Sequence, residues 1–435
     1  MFPRPDPAAA AIGTQSLGTR RVGLSVRGRT FVAVGIISTL SGLILGVLDL
    51  ERVGVLLLTL PVPAWLAVRQ ARSGLRLGHS VIPARTVVGS HAEVRLVLGN
   101  PNAFGTGPLR ITETVPRGQP LRFSVAGVRG RQRRTVAYPL PALRRGRYVV
   151  GPAAVTASDP FGLVVADTRS TDTAELIVQP CRDPLPALAL PIAWRDGAAA
   201  LSHSVGVGGS DDASVRDFRH GDDLRKIHWR STARAGALMV RQEERPWHGE
   251  SLVLIDTRAS AYPTAGAETE SAAFEWAISA AASIGCHLAE RGRRVAIVNG
   301  SGRVAHDDVS AILDLLADTK PALRADVQPL GDALTGLGRD ASVFAILAAT
   351  DHSALAQLAT RPRLPGSAVA LLIRPWSFAA SAAEVTDGNA AAQAVWQAAA
   401  DSLRSGGWRV VGADARDRLA ALWPALLADN SGARR

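Results

Sequence analysis

The chain has 435 residues, 47% of them hydrophobic and 20% charged, a balance that excludes a wholly disordered chain. Its formal charge of +11 is carried almost entirely by arginine, yet aromatic residues make up only 5%, too few for the stacking platforms of a single-strand nucleic-acid binder. Cys181 and Cys286 stand 105 positions apart without a CxxC or Cys/His cluster, so they read as two buried thiols rather than a disulfide or a zinc site.

The excess charge is local: +6 over residues 1–76 and +7 over 77–180, against 0 over 181–250 and −2 over 251–435. It borders the most apolar part of the chain, where a cationic face suits anionic lipid better than nucleic acid.

Residues 1–29 read as a flexible basic N-terminus. Residues 30–48 hold no charge over 19 positions, about 29 Å as a helix, which matches the hydrocarbon thickness of a bilayer. Residues 53–68 are also uncharged, but at 16 positions and with Pro61 and Pro63 inside they form a shorter, kinked span bordered by Trp65. Asp49–Arg52 leave room only for a tight turn, so 30–68 is expected to be a two-helix transmembrane hairpin. No A-x-A site follows the first run and a second run begins at once, which favours an anchor over a signal peptide. Arg20, Arg21, Arg27 and Arg29 precede the hairpin and Arg69, Arg72 and Arg76 follow it, against Arg52 alone in the turn. The positive-inside rule then predicts a multi-pass protein of the inner or plasma membrane with both termini and the soluble domains in the cytoplasm.

Residues 75–180 alternate short apolar stretches with turn clusters, the signature of an Ig-like antiparallel β-sandwich. Seven strands are expected near 76–82, 92–98, 109–114, 121–126, 133–138, 147–156 and 174–178. Two motifs punctuate them, Arg144-Arg145-Gly146-Arg147-Tyr148 and Asp159-Pro160-Phe161-Gly162-Leu163. Both read as turns, with Phe161 and Leu163 returning to the core.

Residues 181–250 form a charged segment expected to pack on the domain that follows. From 206 onward acids and bases alternate with apolar anchors, as in bidentate arginine–carboxylate networks. Arg216, Asp217, Phe218, Gly221, Asp222, Arg225, His228, Trp229 and Arg234 are the candidate structural or partner-binding residues, with Trp229 and the arginines as hot spots of a docking surface. The chain contains no HExxH, Walker A or GxSxG motif, so a catalytic site is not expected.

Residues 251–428 change to strands near 252–255, 295–298, 343–347, 368–373 and 408–411, alternating with helices near 268–290, 307–317, 353–359, 388–404 and 415–427. That rhythm predicts an α/β domain with a mainly parallel sheet and ligands beyond its carboxyl ends, and residues 429–435 are a tail. The arrangement resembles the von Willebrand factor A domain. Asp256, Ser260 and Asp351 fall where that domain's metal-ion-dependent adhesion site has ligands, but Arg258 replaces its first serine. A guanidinium there would fill the space of Mg²⁺, so no cofactor is expected and a divalent cation remains the alternative.

Together these features resemble the bacterial family called domain of unknown function 58, whose most specific stretch here is Gly221-Asp222-Asp223-Leu224-Arg225-Lys226-Ile227-His228-Trp229. The resemblance implies association with MoxR-type AAA+ ATPases, often beside transglutaminase-like membrane proteins. The expected function is therefore a membrane-anchored adaptor or assembly factor, non-enzymatic, acting through protein contacts. A metal-dependent hydrolase or adhesion module, and nucleic-acid binding by the basic β-domain, are the alternatives.

Overall fold

The computed structural model describes residues 15–16, 18–72, 75–116, 118–187, 215–217, 232–234, 236, 239–241, 251–263, 271–300, 302–306, 308–323, 327–335, 341–350, 352–360, 368–378 and 387–428. The chain divides into two units, residues 1–179 and 180–435.

In the first unit, Ser25 caps helix α1 (Val26–Leu45), its side chain accepting from the Gly28 amide at 3.1 Å. Gly46 takes a left-handed conformation (φ 69°) and only Gly46 and Val47 separate α1 from α2 (Leu48–Thr59). The reversal is tighter than the sequence suggests, because Asp49–Arg52 are already helical. Asp49 and Glu51 lie in the first turn of α2, where carboxylates favour the positive end of a helix. Leu60 stays in helical geometry before Pro61 opens α3 (Pro61–Arg72), a position that tolerates the missing N–H. Val26–Leu45 and Leu48–Gln70 are each long and apolar enough to cross a membrane.

The buried residues of α1 are Gly28, Gly35 and Gly42, a single face at seven-residue spacing. A Cβ at Gly35 would fall 2.9 Å from Leu58 Cγ, one at Gly42 2.6 Å from the Glu51 nitrogen and one at Gly54 2.3 Å from Thr39 Oγ1. The two backbones approach this closely because nothing but hydrogen lies between them.

Among the described residues twelve strands build the rest of the unit: β1 (Gln15–Ser16), β2 (Gly18–Leu24), β3 (Arg76–Ile82), β4 (Arg85–Val87), β5 (His91–Asn100), β6 (Leu109–Glu113), β7 (Leu121–Val125), β8 (Gln132–Pro141), β9 (Gly146–Val150), β10 (Ala153–Ser158), β11 (Val164–Arg169) and β12 (Ala174–Gln179). They form three sheets, in the orders β1-β3-β5-β8, β2-β11-β10-β6-β7 and β4-β12-β9, antiparallel except for the β4–β12 pair. Leu77, Leu96 and Leu98 of the first sheet and Leu109, Ile111 and Val155 of the second share one apolar core. Val81 and Val94 meet Val150, Leu176 and Val178 of the third in another.

Three expectations change here. Residues 18–24 are a strand paired with β11 rather than part of a flexible terminus. The stretch read as one strand over 147–156 is two, β9 and β10, separated by Gly151 (φ 94°) and Pro152, whose ring removes a ladder donor. Leu163 is buried as expected, but Phe161 is exposed.

In the second unit, β13 (Val215–Asp217) and β14 (Met239–Arg241) pair antiparallel, while β15 (Ser251–Ile255), β16 (Val295–Asn299), β17 (Gly302–His306), β18 (Ser342–Ala348), β19 (Ala368–Ile373) and β20 (Arg409–Ala413) form one sheet in the order β17-β16-β15-β18-β19-β20. Five strands are parallel and β17 is an antiparallel edge. Residues of β15 alternate between two cores: Val253 and Ile255 face helices Ala272–Ala289, Val309–Asp318 and Leu419–Leu427, and Leu252 and Leu254 face Gln328–Thr335, His352–Ala359 and Asp387–Ser405. Near-continuous apolar strands follow from this burial on both faces. Residues 181–185 run along helix Ala272–Ala289, the Cys181 carbonyl accepting from Ser279 Oγ and the Asp183 amide donating to Ser283 Oγ. Cys286 is buried, and burial pushes its thiol up to about 11, but Cys181 is exposed, contrary to expectation.

His287 packs edge-on against Trp423 with centroids 5.1 Å apart. Burial, and then the charge of Arg291, pull its pKa down from 6.5 to about 4. The unfolded chain therefore binds a proton that the folded chain refuses between those values, so this group's contribution to stability falls as pH drops from 6.5 towards 4. In melts of the full-length protein, His287→Gln should flatten that part of the profile; an unchanged slope would remove His287 as its cause.

Candidate functional site

The parallel strands run β16, β15, β18, β19, β20 across the sheet, so the chain leaves β15 first to one side and later to the other. Ligands in open α/β sheets bind where this reversal occurs, beyond the carboxyl ends of the two diverging strands. Here those ends carry Asp256 and Thr350.

Asp256 is 1% exposed and both its oxygens are engaged. Oδ1 accepts from the Arg258 backbone amide at 3.1 Å and Nε at 3.0 Å, while Oδ2 accepts from Arg258 Nη2 at 2.7 Å and lies 3.5 Å from the Ala348 amide. Arg258 itself is 6% exposed. The loop that holds it is fixed from both sides: Ala259 donates to the Ala322 carbonyl and Ala322 to that of Thr257, while Thr257 Oγ1 accepts from the Gly300 amide. Ser260 is exposed on the single turn Ala259–Ala261, and Asp351 lies outside the described residues. Below the pair, Tyr262 is buried edge-on to Phe274, and burial followed by the charge of Asp256 pushes its hydroxyl well above the ordinary range.

A fork-to-fork guanidinium with a third bond from its own amide leaves Asp256 little acceptor capacity for a cation. These residues do not fit Mg²⁺, which needs several oxygens in near-octahedral array. Among the described residues no group of three His, Cys, Asp or Glu side chains is disposed to hold a metal ion.

The charged segment is less fully described. Arg216 and Asp217 belong to β13, whose pairing with β14 brings the two ends of the motif together, and Arg234 is exposed. Phe218, Gly221, Asp222, Arg225, His228 and Trp229 lie outside the described residues.

The second motif of the first unit is a turn, as expected, whereas the first only begins as a bend at Arg144, and its Gly146, Arg147 and Tyr148 already belong to β9. Tyr148 folds back so that its hydroxyl donates to the Arg144 carbonyl at 3.0 Å, stabilising the loop that Gly146 (φ 139°) permits. In the second motif, the Asp159 carboxylate accepts from the Phe161 and Val164 amides. The turn it shapes seats α1: the Ser25 amide donates to the Leu163 carbonyl at 2.8 Å, and a Cβ on Gly28 would collide with that oxygen at 2.1 Å.

One constellation has no counterpart in the sequence reading. His79 Nε2 lies 3.1 Å from Glu113 Oε1 and its Nδ1 3.3 Å from Asp172 Oδ2, with the His79 and Glu113 side chains fully buried. Asp172 also accepts from the His79 amide at 2.6 Å. Burial, then the charge of Glu113, pushes the Tyr138 hydroxyl upward. With His79 and Glu113 enclosed and only Asp172 partly exposed, the cluster is placed to organise strands.

Comparison with known proteins bears on the charged segment and the start of the α/β domain. Residues 214–348 match the family model described as protein of unknown function DUF58. The match supports the DUF58 family. The matched stretch runs from the β13–β14 pair through strands β15 to β18. No curated protein matches the chain. Solved structures similar to it include the CARDB domain of the PF1109 protein from Pyrococcus furiosus, 15% identical over 24% of this chain and 91% of that chain with a TM-score of 0.19. The C-terminal domain of wzt is 17% identical over 23% and 66%, with a TM-score of 0.18. Scores this low bear on neither fold nor function.

Proposed function

We propose that the chain is a membrane-anchored, non-enzymatic adaptor that works through protein contacts, with a MoxR-type AAA+ ATPase as its partner and its soluble domains on the cytoplasmic side. The observation that carries the anchor is the exposure of the hairpin: only 17% of the apolar window of the first helix and 22% of the second are buried. A core helix of a soluble domain hides its apolar face, whereas Ile37, Leu43, Ile44 and Leu45 all face outward. Arginine placement on either side of the hairpin supports the orientation.

The order of the second unit's sheet, with its antiparallel edge beside five parallel strands, favours the von Willebrand factor A-like reading. In that frame the internal Asp256–Arg258 pair leaves the strand-end position suited to protein contact rather than to ion-dependent chemistry. The ATPase partner rests on the family resemblance, and the charged motif supplies its docking surface.

Full-length protein should sediment with membranes in the absence of detergent, and a reporter fused after Arg435 should stay inside the cell. Solubilised protein should recover an AAA+ ATPase, and Trp229→Ala or Arg225→Ala should weaken that complex roughly 30-fold, the size of a hot-spot truncation, with an unchanged melting profile. Recovery of no ATPase, or unchanged binding by both variants, would remove the docking surface from the account.

A further inference from the structure

Arg76, Gly99 and Arg133 stand abreast across β3, β5 and β8, Arg76 paired with Gly99 and Gly99 with Arg133. A Cβ on Gly99 would lie 3.8 Å from Arg76 Cβ and 3.9 Å from Arg133 Cγ, so the glycine leaves a gap walled by two arginine stems. With Asn100, Pro101, Arg131 and Gln132 it forms a cleft of about 260 Å³ whose lining, among the described residues, has three arginines and no acidic residue. Three guanidinium groups around one gap concentrate positive charge there. An anion in the gap would meet charge-assisted donors.

The cleft rests on a fixed base. Asn100, 1% exposed, donates through Nδ2 to the carbonyls of Phe104 at 2.8 Å and Val128 at 3.1 Å, which ties the loop after β5 to the loop before β8. The Arg131 amide donates to the Asn102 carbonyl at 2.9 Å. Among the described residues Arg131 alone, glycines apart, has a positive φ, at 56°. A side chain held in that conformation is costly, and such residues cluster where a ligand is gripped.

Position decides which anion. Asn102 Nδ2 donates to the Gln70 carbonyl at 3.0 Å, fastening the rim of the cleft to the end of the second apolar helical stretch. Trp65, with the Arg69 guanidinium 5.0 Å above its ring, marks where that stretch meets the interface. Five residues of helix from Trp65 to Gln70 advance about 7.5 Å. The headgroup layer outside the hydrocarbon is roughly 5–8 Å deep. Phe104, 71% exposed, projects from the same loop as an apolar contact for that layer.

We propose that this cleft binds a phosphate group, and at this depth the phosphate of an anionic phospholipid headgroup. The lipid assignment rests on the anchor proposed above. The test is native mass spectrometry of the full-length protein released from zwitterionic detergent, titrated with phosphatidylglycerol or phosphatidylcholine. Phosphatidylglycerol should bind preferentially. Arg131→Gln and Arg133→Gln should each weaken it roughly fivefold, and together about 30-fold. Gly99→Val, which fills the cleft without removing charge, should also weaken it, while Arg147→Gln, outside the cleft, should not. Millimolar inorganic phosphate should leave the lipid bound; displacement would overturn the lipid source in favour of a soluble phosphate. Wild-type affinity in both single variants and their double would overturn the cleft itself. Sedimentation judges the anchor separately, so the cleft can fail while the anchor stands.

Discussion

Replacing His79 with alanine should cost about 3–5 kcal/mol, the penalty for leaving one member of a buried polar pair without its partner. Glu113 loses the ring that lies 3.1 Å from its carboxylate and stays fully enclosed, while Asp172 keeps only the backbone half of its contact with residue 79. Chemical denaturation of the full-length protein, followed by a signal from the β-sheets, measures the loss. The milder Glu113→Gln keeps a hydrogen-bonding group opposite the ring and should cost clearly less. Substituting both members, His79→Ala with Glu113→Leu, should recover part of the loss, because no buried polar group is then left alone. A change below about 1 kcal/mol in His79→Ala would mean that water reaches Glu113 and that the cluster is not the fastening described.

Arg258→Ser should have an effect of similar size for a related reason. Asp256 is almost wholly enclosed and takes two bonds from the Arg258 side chain, so the substitution leaves a buried carboxylate without its counter-charge, held only by backbone amides, at a cost of about 3–5 kcal/mol. The same change restores a hydroxyl where the adhesion-site pattern has one. Calorimetry then distinguishes two states of the site: the natural protein should give no binding heat with millimolar Mg²⁺ or Mn²⁺, and added ion should recover stability in the variant if the introduced hydroxyl oxygen now joins Asp256. Heat from the natural protein would show that the ion pair opens, and the metal-dependent alternative would regain ground.

How far the sequence could reveal all this depended on whether a feature was local. Strands β15, β16, β18, β19 and β20 fall within a residue or two of expectation, but β13, β14, β17 and the helix Gln328–Thr335 escaped because short elements carry little periodicity. The first apolar helix starts at Val26 rather than at residue 30 because Arg27 and Arg29 hid its opening turn from a criterion based on absent charge. β2 was hidden for a different reason: its sequence, GTRRVGL, becomes a strand only because β11 lies alongside. Arg258 was legible as an intruder at the carboxyl end of β15, but its bidentate grip on Asp256 emerges only from the fold. The His79 cluster joins residues 34 and 93 positions apart, and no short motif can announce such a meeting. Gly99 likewise gains significance only from the arginines on both neighbouring strands.

The seat of α1 has a consequence for biosynthesis. Ser25 and the Gly162 carbonyl it meets are 137 positions apart, so at roughly 5–20 residues per second the ribosome needs on the order of ten seconds between them. The helical pair, whose closure needs only neighbouring sequence, assembles during that interval, and β2 waits beside it with an unpaired edge. That edge stays open until β11 emerges and joins it.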